Sequence, residues 1–393
     1  MSRFPKLTET FILHEILALE KNNVAVEVFP LLREHQKTSH PEALRLTQSA
    51  HFLPFISLPI FAANWFFFSR NPKAYLYVLA EIIKGTFGSV NFFVGAIGIF
   101  PKSVRFAYEM QTLGITHIHA HFCTHPAVAA LIAHRLTGIP FSFTAHGSDL
   151  HVERRMLAEK VNAAAFVVTV SDFNKAVIVN ECGKIVHEKV HVIHCGVDVT
   201  QLPTKSNWSL EGSLSILSVA SFEEVKGHKF LVEACRILAH QGIQFRCHFV
   251  GEGPLFQAIV NQVSELGLKD MFHFHGGLAR DEVIKLLADA DVFVLASVPT
   301  KQGKREGIPV SLMEAMGSGV PVVASNLSGI PELVQHKVSG LLVSPQDSVS
   351  LANALENYYQ SEELREEIGR SGKQQVVEQF DLEKNAIKLI ELF

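Results

Sequence analysis

No Cys-x-x-Cys occurs in this chain of 393 residues. The five cysteines, Cys123, Cys182, Cys195, Cys235 and Cys247, are scattered. That spacing argues against a disulfide framework or a cysteine-held zinc ion and suits reduced thiols in the cytoplasm. There is no excess of positive charge either: the net charge is -4, so no general attraction to nucleic acid follows. No run of about 18 uninterrupted apolar residues appears, the length expected of a spanning helix. Residues 1–23 mix charged and apolar side chains at helical spacing, unlike the separated charged and apolar blocks of a secretory leader. The expectation is a cytoplasmic protein, or one peripheral on the inner face of the cytoplasmic membrane.

What is present describes a folded chain. Hydrophobic residues make up 48% and charged residues 19%, and the length suits two domains. Twenty histidines raise the question of a metal. The run His117-Ile118-His119-Ala120-His121 would put three imidazoles on one face of a strand. No matching carboxylate or helix-spaced histidine pair accompanies it in sequence. The run therefore reads as a polar strand end bordering a cleft, with no metal expected.

The C-terminal half alternates short apolar runs with helical ones. Strands are expected at 214–220, 244–250, 271–275, 292–296, 320–324 and 340–343, with helices over 226–240, 254–266, 280–288, 308–316 and 348–359. Such alternation predicts a parallel sheet covered on both faces, a Rossmann-like domain. The N-terminal half reads as a second, less regular α/β unit. Its helix spans 9–21, striped by Ile12, Leu13, Ile16, Leu17 and Leu19. Strands follow at 24–29, 117–121, 141–145, 166–170 and 190–194. The expected division is an N-terminal domain over 1–199, a polar linker over 200–213, a C-terminal domain over 214–370, and a final helix, 371–393, packing back on the N-terminal domain.

Residues 50–110 stand apart as a hydrophobic helical insert dense in Phe, Ile and Leu. Two roles fit. The insert can be buried within the N-terminal domain. Alternatively it forms an interfacial surface, with Trp65, Phe66, Phe67 and Phe68 at lipid headgroups and Arg70, Lys73, Lys84, Lys102 and Arg105 facing anionic lipid.

The densest chemistry lies in 306–334, EGIPVSLMEAMGSGVPVVASNLSGIPELV. Glu306 and Glu314 are eight positions apart, about 12 Å if the whole interval is helical. A helix N-terminus between two carboxylates offers N–H groups to phosphate oxygens. The carboxylates are then placed to accept hydrogen bonds from hydroxyls on either side. Further on, Gly251 and Gly253 form a Gly-x-Gly-Pro turn at a strand's carboxyl end, which suits close backbone approach to a ligand.

This string, with Gly-x-Pro-Val-Val-Ala and Gly-x-Pro-Glu following the second glutamate, resembles the nucleotide-sugar signature of the retaining, family 4 type glycosyltransferases. The segments SRFPKLTETFILHEILALE, HIHAHF and FTAHGSDLHVERRML resemble the bacterial exopolysaccharide branch of that family, including the colanic acid glycosyltransferases. The implied fold is GT-B, α/β, with two facing Rossmann-like domains and a cleft between them. The implied reaction moves a sugar from a nucleoside diphosphate donor to a saccharide or lipid-linked saccharide, with retention, without a metal or other cofactor.

By the same resemblance, Glu306 lies near the donor sugar and Glu314 on the ribose. The backbone N–H groups of Gly307, Ile308 and Val310 are candidates for the distal phosphate. Lys226 neutralises the diphosphate. Relatives often carry an arginine where this chain has Ser221, and Lys304 or Arg305 is placed in sequence to supply that charge. His275 falls near the nucleobase. Thr8, Glu9 and Thr10 form a loop reaching over the phosphates. His146 contacts the donor sugar, and Asp149 and Arg154 are looser candidates for acceptor or donor contacts. Relatives opening with a similar Ser-x-Phe-Pro segment have a strand before it, so the N-terminal sheet is expected to lack its first strand. Two alternatives remain: a GT-B nucleotide-sugar epimerase, and a non-catalytic partner in a polysaccharide assembly complex. The sugar, the base and the acceptor are not specified.

Overall fold

The computed structural model describes residues 1–5, 10–34 and 41–393. They form two compact units, Met1–Ile193 with Ala386–Phe393, and His194–Asn385.

The first unit opens with a short parallel pair, β1 (Arg3–Phe4) and β2 (Leu32–Arg33), joined by the helix Thr10–Lys21. Its main sheet has four parallel strands in the order β3 (Ile118–His121), β4 (Phe141–Ala145), β5 (Val167–Thr169) and β6 (Val190–Val192). All five residues of β4 are buried, as expected of a parallel strand covered on both faces. The helix His125–Thr137 follows β3 and stops at Gly138, whose φ of +77° turns the chain and whose N–H donates to the His134 carbonyl at 2.8 Å.

The expected strand at 24–29 does not form. Those residues take no regular secondary structure and belong to no strand ladder. Between them and the open edge of β3 lies a cavity of about 550 Å³, lined among others by Glu15, Val26, Val28, His119 and His121. A strand needs a ladder partner on at least one side, and the cavity occupies that position. β3 is an edge strand of the four-stranded sheet, and its edge meets this space.

The hydrophobic insert is three helices, Leu58–Arg70, Pro72–Thr86 and Val90–Thr112. The first two meet at a single residue. Asn71 caps the second helix by accepting the Ala74 N–H at 3.0 Å, with Pro72 at its first position. Each helix buries one stripe: Ile60, Ala63 and Phe67; Val78 and Ile82; Phe92, Ala96 and Phe100. Two of the cations expected to face lipid are turned inward. Lys102 is buried, its ammonium donating to the Leu31 carbonyl and, at 2.7 Å, to the Leu53 carbonyl. Burial lowers its pKa from the usual lysine value. Arg105 is held by Glu109 at 2.8 Å. The helical period alone does not fix which way these two residues face.

The second unit carries a six-stranded parallel sheet: β7 (Leu214–Val219), β8 (Phe245–Val250), β9 (Phe272–Phe274), β10 (Val292–Leu295), β11 (Val322–Ser325) and β12 (Leu341–Val343). Strand residues alternate between two apolar layers. Ile216, Val292 and Val294 face one; Leu217, Phe293 and Leu295 face the other.

The stretch 200–213, expected as a linker, is packed into this unit. Trp208 is buried, its indole N–H 3.3 Å from the Gly319 carbonyl, and the Lys205 ammonium donates to the Ala290 carbonyl at 2.8 Å. Polar composition concealed two attachment points. Val376 and Phe380 are likewise buried here, so only the last residues of the expected returning helix join the first unit, where Leu389 packs with Leu19, Phe166 and Val168.

Candidate functional site

The strand order of the second unit is β12-β11-β10-β7-β8-β9. The chain builds outward from β7 through β8 to β9, then crosses back to β10 and builds the other way. In an open α/β sheet the carboxyl ends at such a reversal form a natural ligand crevice. Here that crevice lies at the loops that leave β7 and β10.

Those loops touch because one residue between them is glycine. Gly227 has φ +67°, and a Cβ there would lie 1.8 Å from the Ala296 carbonyl oxygen. The Val298 N–H also donates to the Val225 carbonyl at 2.8 Å. This approach brings Lys226 Nζ to 2.7 Å from Glu306 Oε2. Both side chains are mostly buried, 18% and 15% exposed. The Ser297 hydroxyl, fully buried, stands 3.5 Å from the same carboxylate oxygen. Two residues 80 positions apart in sequence are thus one ion pair, and Ser297, which carried no sequence signal, is its neighbour.

The helix after Glu306 begins later than expected. It spans Val310–Gly317, with Pro309 as its cap, so Glu306, Gly307 and Ile308 approach it in non-helical conformation. The 12 Å helical rise between the two glutamates therefore does not apply. A proline at 309 cannot donate and can sit outside the ladder. Its carbonyl accepts from Leu312 and Met313, each at 3.2 Å. Val310 and Ser311 precede that ladder, so their N–H groups point out of the helix end.

Glu314 lies on the same helix. Burial raises its pKa above the usual glutamate value, and the nearby positive charge of Arg280 opposes the shift. Arg280 Nε is 3.9 Å from Glu314 Oε1, and its guanidinium also donates to Gln201 at 2.7 Å. Arg280 opens the helix Arg280–Asp289, far from Glu314 in sequence, and only the fold shows the pair.

Gly251 and Gly253 are required by the protein's own backbone. A Cβ at Gly251 would stand 2.1 Å from the Ala220 carbonyl oxygen, and one at Gly253 2.7 Å from the Phe222 nitrogen. The turn thus seats against the loop containing Ser221, whose carbonyl accepts the Glu223 N–H at 2.7 Å. Lys304 is paired with Glu223, which leaves its charge engaged, while Arg305 is exposed. His275 continues β9. Its ring is 3.1 Å from His248, and burial with the neighbouring His273 lowers its pKa.

In the first unit Thr8 and Glu9 lie outside the described residues; Thr10 opens the first helix. His146 ends β4. Its ring is packed against Phe11 and Phe122 and lies 3.2 Å from His121. Burial first, then the neighbouring His121, depress its pKa to about 4, so it is neutral at pH 7. Asp149 holds this corner. Its carboxylate accepts backbone N–H groups of His146 (3.0 Å), Gly147 (2.8 Å) and Cys123 (2.8 Å). That occupation makes Asp149 a positioning residue rather than a free ligand contact. Arg154 is exposed at the surface in an ion pair with Glu181 at 3.2 Å and does not join His146.

The histidine strand does acquire a carboxylate. Glu15 from the first helix lies 3.3 Å from His121, and Glu15, His119 and His121 could together address one cation, with ligand atoms within 4.8 Å of one another. Their nitrogens are otherwise engaged: His119 bonds Ser142 (2.8 Å) and Thr144 (2.9 Å), and His121 bonds His146. The carboxylate missing in sequence comes from over a hundred residues away.

Two family models match the chain, one described as Glycosyl transferases group 1 over residues 204–375 and one as Glycosyltransferase Family 4 over residues 69–201. The chain is 40% identical over 199 residues to the putative colanic acid biosynthesis glycosyltransferase WcaL of Escherichia coli, covering 48% of this chain and 49% of that one. It is also 40% identical over 175 residues to the amylovoran biosynthesis glycosyltransferase AmsK of Erwinia amylovora, covering 44% and 43%. The matches thus span about half the length of these curated relatives. Among solved structures, a glycosyltransferase from Rickettsia africae superposes with a TM-score of 0.73 at 18% identity, covering 100% of this chain and 96% of that one. The Anabaena Alr3699/HepE structure in complex with UDP-glucose superposes with a TM-score of 0.69 at 20% identity, covering 98% and 95%. At such identities the likeness is one of fold: GT-B, with two Rossmann-like units.

Proposed function

Because the chain belongs to the family 4 type glycosyltransferases, we propose that it moves a sugar, with retention, from a nucleoside diphosphate sugar to a saccharide or lipid-linked saccharide in cell-surface polysaccharide biosynthesis. The observation that carries this is the Lys226–Glu306 pair, 2.7 Å apart at the topological switch point, beside the N-terminus of the helix Val310–Gly317.

In this proposal the donor's diphosphate takes Lys226 and the helix N–H groups of Val310 and Ser311. Glu306, released from the lysine, accepts hydrogen bonds from the donor sugar. Glu314 accepts from the ribose, with Arg280 beside it. The bond between the anomeric carbon and the diphosphate oxygen breaks, and its electron pair leaves on the diphosphate. The acceptor oxygen bonds to the anomeric carbon on the same face, and its proton passes to the leaving phosphate. Positive charge on the anomeric carbon develops as in glycoside hydrolysis. Fixed donors around the leaving group stabilise the negative charge that builds there. We assign no metal to this step.

The test is transfer measured with a panel of nucleotide-sugars and a lipid-linked acceptor, identifying the anomer formed. Turnover that persists at the wild-type rate in Lys226→Ala and Glu306→Ala proteins would refute the assignment.

A further inference from the structure

Eleven of the twenty large apolar side chains exposed among the described residues lie between residues 55 and 94. That interval is the insert, and the concentration there needs an explanation, since scattered exposed apolar residues are normal and clustered ones are not. The three insert helices are apolar on both sides. Buried residues from each, such as Phe67, Ile82 and Phe100, join the core of the first unit. Their outer faces carry Leu58 (85% exposed), Trp65 (67%), Phe87 (75%) and Val90 (82%). Leu58, Phe61 and Trp65 recur at helical spacing along one face, and Leu76, Ile83 and Phe87 do so on the next helix and its end. A helix apolar all round is otherwise a buried helix or one that meets lipid.

The charges in the same interval have one sign. Arg70, Lys73 and Lys84 are exposed. Glu81, the one acid between residues 55 and 100, is bound to Arg135 at 3.0 Å and 13% exposed. A protein partner would ordinarily be met by a mixed polar rim. An outer face of Leu, Phe and Trp that carries the exposed cations Arg70, Lys73 and Lys84 matches the headgroup region of an anionic bilayer. Among the described residues no helix is long and apolar enough to cross a membrane, so the contact is one of lying on the surface.

We propose that the outer faces of Leu58–Arg70 and Pro72–Thr86, with the turn at Phe87–Val90, dock on an anionic lipid bilayer. Trp65 and its apolar neighbours insert at headgroup depth while Arg70, Lys73 and Lys84 meet lipid phosphates. The inference goes beyond the transfer reaction and does not depend on it.

The experiment is co-sedimentation of the full chain with vesicles of phosphatidylethanolamine and phosphatidylglycerol, and with phosphatidylcholine vesicles, without donor or acceptor. The protein is expected to pellet with the anionic vesicles and to be partly released by salt. A Leu58→Ser/Phe61→Ser/Trp65→Ser protein should partition at least about tenfold less, the factor expected from removing even one large apolar side chain from the interface. If that variant fails to fold by circular dichroism, an Arg70→Glu/Lys73→Glu/Lys84→Glu variant, which keeps the apolar face, decides. It should lose the preference for anionic vesicles. Wild-type protein remaining in the supernatant with anionic vesicles would overturn the proposal. So would undiminished binding by the folded variants. Self-association abolished by the triple serine variant, without vesicle binding, would assign the face to a second copy of the chain instead.

Discussion

Lys226 and Glu306 form an ion pair of 2.7 Å that joins the loop after β7 to the loop after β10. Each neutralises the other until a ligand competes. A diphosphate carries more charge than one carboxylate and accepts more hydrogen bonds, so it is expected to take the lysine. Lys226→Ala should weaken nucleoside diphosphate binding by about tenfold or more, measured calorimetrically. Its cost in stability should be about 3 kcal/mol, because the mostly buried Glu306 carboxylate would lose its partner. Unchanged nucleotide affinity would remove Lys226 from the site.

Glu306 and Glu314 are expected to separate kinetically. Glu306→Ala should lower kcat while the free nucleoside diphosphate still binds, since its proposed partner is the sugar. Glu314→Ala should weaken nucleoside diphosphate binding itself. If both variants lose nucleotide affinity equally, the assignment of sugar to one and ribose to the other fails.

Gly227 sets the approach of the two loops, and its replacement tests that directly. Gly227→Ala places a Cβ 1.8 Å from the Ala296 carbonyl at a positive φ. Backbone strain and displacement should cost at least about 2 kcal/mol in urea denaturation. Donor affinity should fall with it, because the Lys226–Glu306 geometry depends on the same contact.

Asp149 accepts three backbone N–H groups in a buried corner. Asp149→Ala would leave all three without their acceptor. A loss of about 3 kcal/mol or more is expected, with retained donor binding in the second unit. A variant as stable as wild type would mean that water or a rearranged loop satisfies those groups.

The buried histidines make the first unit acid-sensitive. Burial depresses His119 and His121 to about 3 and His146 to about 4, from 6.5. The unfolded chain therefore binds these protons first as pH falls. Their neutral forms favour the fold fully above about pH 6.5. Stability then declines on acidification until the folded values near 3–4 are reached, by about 1.4 kcal/mol per pH unit for each histidine. Urea midpoints at pH 7 and pH 5 should show the decline, and His146→Gln should reduce its slope by one histidine's share. An equal slope in the two proteins would show that His146 titrates normally.

Much of the second unit was legible because its local signals agree. Short apolar runs alternate with amphipathic helices, each strand is covered on both faces, and five of the six expected strands differ from those observed by two residues or fewer in total. The glutamates, the glycine turn and Lys226 could be singled out because residue type and spacing carry their chemistry. The first unit was harder. The segment 24–29 has the composition of a strand, but a strand exists only where a neighbour supplies hydrogen bonds, and a cavity stands there instead. Lys102 looked like a surface cation because periodicity does not say which face of a doubly apolar helix is inside; the carbonyls of Leu31 and Leu53 capture it.

Residue order was therefore enough for the α/β class, the helical insert and the types of group that address a phosphate or a hydroxyl. It could not pair groups distant along the chain. Glu15 reaching the histidine strand, Arg280 reaching Glu314, Ser297 beside Glu306, and Glu306 closing on Lys226 all depend on which strands become neighbours. Those contacts arise from long-range parallel pairing and close backbone approach, and no local pattern of side chains encodes them.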